Sequence, residues 1–411
     1  MAEGTAESAE HSTRTPGDAP AVRPYIGGQA VLEGVMMRAP SSFAIVVRRR
    51  DGSLHVRERA MRDERKAWTR LPFIRGIASL GESLKLGGEA LRFSAEQMER
   101  DLDAEEAEAA KSVAAIASKP SKPTGIGMNM LGLLRSVAYT LFLLMTADGD
   151  AGGAGGTELV VEPSKEEKKA SKAPMTIMVL LMVAFMIALP QASAAGVNRL
   201  LHLGLEVESP GFQALTGAFK LTIVVGYLLV TRTFLADIRR VFQYHGAEHK
   251  TITTYEAKEA LTVENARKKT TLHPRCGTTF LVMVALVSIL VFTAIGGFLP
   301  KTHTGNDVLD NVIFFAKKLP FLPLIAAVTF EIQRLFARYC TTGPLRVLLW
   351  PGFLCQKITT IEPDDKQLEV ALASLRVTLF RENGEEAKTS ADVRYASFDA
   401  LMKTPQLRRA A

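Results

Sequence analysis

The string YHGAEHK at 244–250 is where this sequence first offers chemistry. On a helix, His245 and His249 stand one turn apart on one face, so two imidazoles can grip a single metal ion with Glu248 beside them. The order is H-x-x-E-H, the inverted zincin pattern, which gives Glu248 the place of a general base toward an attacking water. Downstream, HPRCG at 273–277 carries His273 and Cys276 at a common ligand spacing, with Pro274 stiffening the loop. Three of the seven histidines and one of the three cysteines thus fall between 245 and 276. A plainer reading makes His245 and Glu248 surface groups, His273 a loop residue and Cys276 the first buried residue of an apolar helix. In that reading Glu248 pairs with Lys250, Arg275 or a nearby arginine, and Gly246 weakens the helix on which the histidine pairing depends.

A second string, GGQAVLEGVMMRAP at 27–40, lacks the glycine spacing and the Lys-Ser/Thr end of a phosphate-binding loop. Its Gly27, Gly28 and Gly34 permit tight turns, while Glu33 and Arg38 supply one carboxylate and one anion-binding fork. Either the two pair with each other, or Glu33 faces the histidines as a base or ligand and Arg38 holds an anionic substrate. Glu331, Arg334 and Arg338 form a third group on one helical face, where they either mark a site or neutralise one another.

The elements that must position these groups are mostly apolar helices. The chain has 411 residues, 47% hydrophobic, and a formal charge of +7. Its basic residues gather beside apolar stretches rather than among stacking aromatics, which favours anionic lipid over nucleic acid as a partner. Three cysteines, an odd number in a long chain, speak against a disulfide framework. Residues 173–198 and 276–300 are uncharged runs long enough to cross a bilayer. A third run, 212–236, carries Lys220 and Arg232 about 18 Å apart along a helix, so both heads can snorkel to opposite interfaces. A fourth, 319–339, has Pro320 and Pro323 near its start. The loop between 238 and 277 is rich in Lys and Arg, whereas the loop after residue 198 holds only Arg199, so the histidine loop and both termini are expected in the cytosol.

The expected architecture is mainly α, a polytopic membrane bundle of about four spans with a small amino-terminal cytosolic unit. Residues 1–22 read as a disordered start with no cleavable signal. Residues 23–100 form that unit: strands at 43–47 and 54–56 joined by the Asp51-Gly52 turn, then an amphipathic helix bearing Phe73, Ile77, Leu80 and Leu84. Residues 101–172 are a variable linker, and its apolar segment 126–145 lies at the interface because Asn129, Ser136 and Thr140 make a polar stripe. Residues 173–358 form the membrane domain, and 359–411 a cytosolic helix and tail, with Leu368, Leu372 and Leu375 on one face.

GGQAVLEGVMMRAP, RVFQYHGAEHKTI, LTVEN, HPRCGTTF and PGFLCQKITTIEPDDKQLEVA together resemble the bacterial YqhQ family over most of residues 24–375. That family consists of multi-pass membrane proteins with a domain of unknown function, described as metal-dependent enzymes with no established reaction. The resemblance implies a metal site at His245, Glu248, His249, His273 and Cys276, adds Glu264 as a further ligand, and implies a bacterial inner membrane. The segment at 126–145 departs from the pattern. The expectation is a divalent metal, zinc first, supporting metal-assisted hydrolysis at the cytosolic membrane face of a lipid headgroup or a membrane-inserted protein. The alternatives are a non-enzymatic scaffold or membrane-protein assembly factor with a structural metal, and a transporter using the intramembrane charges.

Overall fold

The computed structural model describes residues 23–61, 71–116, 184–301, 303–340, 343–383, 391–404 and 407. The expected disordered start at 1–22, the apolar segment 126–145 and most of the linker lie outside the described residues.

Five strands form one antiparallel sheet in chain order: β1 (Gly27–Val31), β2 (Gly34–Arg38), β3 (Ser42–Arg48), β4 (Leu54–Ala60) and β5 (Ala391–Tyr395). The expected hairpin is there as β3 and β4, turned at Gly52, whose φ of 84° suits only a residue without a Cβ. Strand alternation splits β3 between two layers. Phe43, Ile45 and Val47 pack with Leu86, Ala90 and Phe93 of a long helix, α1 (Ile74–Ile116). Ala44 and Val46 join the main core with Leu368, Ala371 and Leu375. These last belong to a helix near the chain end, numbered α10 below. Both faces are therefore covered, which is why β1 to β3 read as continuous apolar runs that give little alternation signal. The sequence reading placed 23–100 and 359–411 in separate units, and it counted two strands; the tail supplies both a covering helix and the fifth strand.

The remaining helices, in order, are α2 (Leu189–Leu200, entered through a π-helical turn at Ala184–Ala188), α3 (Pro210–Phe234), α4 (Ala236–Glu256), α5 (Val263–Arg267), α6 (Gly277–Ile295), α7 (Asp307–Lys318), α8 (Phe321–Tyr339), α9 (Trp350–Thr359), α10 (Asp365–Asn383) and α11 (Phe398–Met402). Ser209 starts α3 by accepting from the Phe212 amide, with Pro210 at the first helical position.

Among the described residues, two helices are long and apolar enough to cross a membrane, Pro210–Phe234 and Gly277–Phe298. A third crossing is available if Asp307–Lys318 and Phe321–Phe336, bent by 48°, act as one broken span. The described residues thus offer two or three of the about four spans expected. The run at 319–339 is only the second half of a helix pair broken at Leu319 and Pro320, and much of 173–198 lies outside the described residues, leaving the short α2. The heads of Lys220 and Arg232, expected to snorkel, make contacts within the protein. Lys220 donates to Ser288 Oγ of α6 at 2.9 Å, and Arg232 donates to the Lys357 and Ile358 carbonyls at the end of α9.

Candidate metal centre

The centre is built on α4, which runs unbroken through Gly246. Glycine is needed there because a Cβ would collide with the Ile361 carbonyl, where the segment after α9 crosses α4 and the Ile361 amide donates to the Phe242 carbonyl at 3.0 Å. The residue that weakens the helix thus lets a second chain segment pack on it.

His245 and His249 lie one turn apart as expected, with ring centroids 4.4 Å apart. Cys276 joins them as the N-cap residue of α6. Its Sγ lies 3.1 Å from His245 Nε2 and 3.1 Å from Thr278 Oγ1. One ligand atom from each of His245, His249 and Cys276 falls within 4.8 Å of the others, and all three residues are buried.

The ring orientations fit a cation. His245 Nδ1 donates to the Thr359 carbonyl at 2.9 Å, and His249 Nδ1 donates to the Thr271 carbonyl at 2.5 Å. A carbonyl cannot donate, so each Nδ1 carries its hydrogen and each Nε2 is left with a lone pair, the tautomer a metal requires. Burial, together with the neighbouring imidazoles of His245 and His273, pulls the His249 pKa well below the usual imidazole value. His249 is therefore neutral, as a ligand must be. Cys276 opens α6 with its Sγ beside the Thr278 hydroxyl, at the positive end of the helix dipole.

The other expected residues are placed differently. His273 is buried with its ring centroid 5.6 Å from that of His249, but its Nε2 lies 3.3 Å from Glu256, which also pairs with Arg275. It stands beside the trio, outside the ligand group. Glu248 is buried against β1, its Oε1 2.7 Å from where a Cβ on Gly28 would sit. Glu33 occupies the β1–β2 turn with φ 52° and is tied to Arg240 and, at 3.1 Å, to Tyr244 Oη. It pairs with neither Arg38 nor the histidines. Arg38 is buried in β2. Glu264 is exposed and ion-paired with Lys268 at 2.8 Å, so the LTVEN carboxylate is a surface group. Glu331 binds Arg75 of α1 at 2.5 Å, not Arg334 or Arg338. Lys250, the alternative partner of Glu248, pairs with Glu362.

Sequence reasoning missed the groups that orient the trio. Thr271 and Thr359 act through backbone carbonyls, which any residue type supplies. Gln356 was also missed; it brackets His273 by accepting from its amide at 2.8 Å and donating to its carbonyl at 2.7 Å.

A family profile described as a protein of unknown function (DUF1385) matches residues 71–380. The chain belongs to that family. The match takes in the whole metal trio and most of α10, while β1 to β4 precede it. The uncharacterized protein YqhQ of Bacillus subtilis (strain 168) is 28% identical over 361 residues, which is 87% of this chain and 93% of that protein. The YqhQ-family resemblance read from the motifs is thus found across nearly the whole length. No solved structure matches the chain.

Proposed function

We propose that this member of the family is a multi-pass bacterial membrane protein whose cytosolic face carries a His245–His249–Cys276 divalent metal centre of the hydrolytic type, zinc first. The observation that carries the reading is the ligand set: three side chains converge, with both histidines fixed by carbonyls in the metal-binding tautomer. Three protein ligands leave one coordination position for a substrate or water, as in catalytic zinc sites. A divalent cation held there supplies Lewis acidity. Glu248, on the same helical turn with its carboxylate packed in the space that Gly28 leaves open, is the group proposed to hold and move the proton. The apolar helices α3 and α6 hold the centre at the bilayer surface, where a headgroup or an inserted polypeptide is the accessible substrate.

A second reading makes the metal a structural clamp. The burial of all three ligands favours it, as does the way the contacts tie α4, α6 and the end of α9 together. Cobalt substitution separates the two without a known substrate. An open position predicts a visible spectrum that shifts when azide is added, and Glu248→Gln should retain full metal content. A cobalt spectrum indifferent to azide would leave the clamp, and purified wild-type protein without metal would remove both readings.

A further inference from the structure

Two lysines, Lys318 buried and Lys220 half-buried, sit among the apolar helices with no carboxylate partner among the described residues. Lys220 sits near the middle of α3 and donates to Ser288 Oγ at 2.9 Å, itself near the middle of α6. Lys318 ends α7 at the bend into α8, is 2% exposed, and donates to Gln191 Oε1 of α2 at 3.0 Å. Its Nζ also stands over the rings of Phe292 and Phe314, at 5.2 and 4.8 Å from their centroids. Among the described residues these hydroxyl, amide and ring contacts are the only partners of the two ammonium groups. An ammonium has three donors, so each has donors to spare.

Both lysines line one small, half-open space of about 20 Å³, together with Gln213, Thr216, Ser288 and Phe292. That volume admits a single water-sized occupant, since about 10–15 Å³ is the minimum for one. Thr216 turns its hydroxyl hydrogen to the Phe212 carbonyl and Gln213 turns its amide to the Val207 carbonyl. The lysines are therefore the charged groups facing the space. Uncompensated charge at such depth is costly, and an ionisable group placed there usually serves a site. The C-terminal dipole of α7 and the two aromatic faces offset part of one charge, not both. Two lysines whose spare donors face one space of one-atom size are matched by a small anion.

We propose that Lys220 and Lys318 bind one small monovalent anion, of the size of chloride, in the space between them. The site joins α3, α6 and α7 and is independent of the metal centre, which lies at the α4 end of these helices.

The test uses the full chain in detergent at constant ionic strength, with chloride replacing gluconate. The thermal unfolding midpoint of the wild type should rise saturably with chloride, and the rise should disappear in Lys220→Met and Lys318→Met. Equal midpoints in the two salts would overturn the proposal, as would the same chloride dependence in wild type and both variants. Should the variants fail to fold, crystals of the wild type grown in bromide decide the matter. An anomalous peak between the two Nζ atoms supports the site, and ordinary water density there refutes it.

Discussion

His249 contributes its lone pair only while neutral, and the structure keeps it so by burying it between two other imidazoles. Its pKa in the fold is depressed, whereas unfolded it titrates near 6.5. Below that pH the unfolded chain binds the extra proton more readily, so folding stability is fully present above about pH 6.5 and is lost as pH falls toward the folded value. Metal-free protein should therefore show a falling denaturation midpoint from pH 7 to 5, and His249→Asn should flatten the profile. An unchanged slope in the variant would place the acid sensitivity elsewhere. Metal content separates the roles on this turn: His249→Ala and Cys276→Ser should leave little bound metal by elemental analysis, whereas Glu248→Gln and Glu264→Gln should match wild type. Loss of metal in Glu264→Gln would contradict the exposed Lys268 pairing. The pair His245 and His249 was legible because a helical period converts a sequence spacing into a shared face. Glu264 misled because a carboxylate beside a motif looks the same in sequence whether it faces the site or solvent.

At the scale of elements, two glycines set how closely other segments approach α4. A methyl group on Gly28 would sit 2.7 Å from the Glu248 carboxylate, so Gly28→Ala must move either β1 or that side chain. Overpacking of this kind costs about 1–3 kcal/mol, and denaturant unfolding should show a loss in that range with metal still bound. In Gly246→Ala the obstacle is the backbone carbonyl of Ile361, which cannot rotate away, so the loss should be larger despite alanine's better helix propensity. A stabilised Gly246→Ala would mean that the α9–α10 connection does not lie against α4. Gly246 reads from sequence as a helix weakness because the crossing segment is more than a hundred residues away. The β3–β4 hairpin was legible for the opposite reason, since its turn and both strands are contiguous. The fifth strand and the α10 cover were not, because a sheet edge closed by the chain end leaves no local mark beyond a short alternating run.

At the scale of the whole molecule, the sheet constrains how often the chain crosses a bilayer. β1 and β2 pack against α4, and α10 packs against both the sheet and α4, so all three lie on one side. Between β4 and α4 the number of crossings must then be even. If α3 crosses, an odd number must precede it. Between α4 and α10 the count must again be even, which requires the bent α7–α8 pair to return what α6 carries across. With α3 and α6 crossing, four is the smallest number that meets both conditions, and the surplus of Lys and Arg around 258–275 predicts that the shared side faces the cytosol. The three native cysteines are buried, so single cysteines introduced at exposed positions report accessibility cleanly. In intact cells an impermeant maleimide should label Glu206→Cys, in the loop before α3, and leave Lys268→Cys unlabelled until the membrane is opened. Labelling of Lys268→Cys from outside would reverse the orientation and place the histidine centre on the external face. Labelling of both from outside would mean that α3 does not cross, and the parity argument would lose its first term.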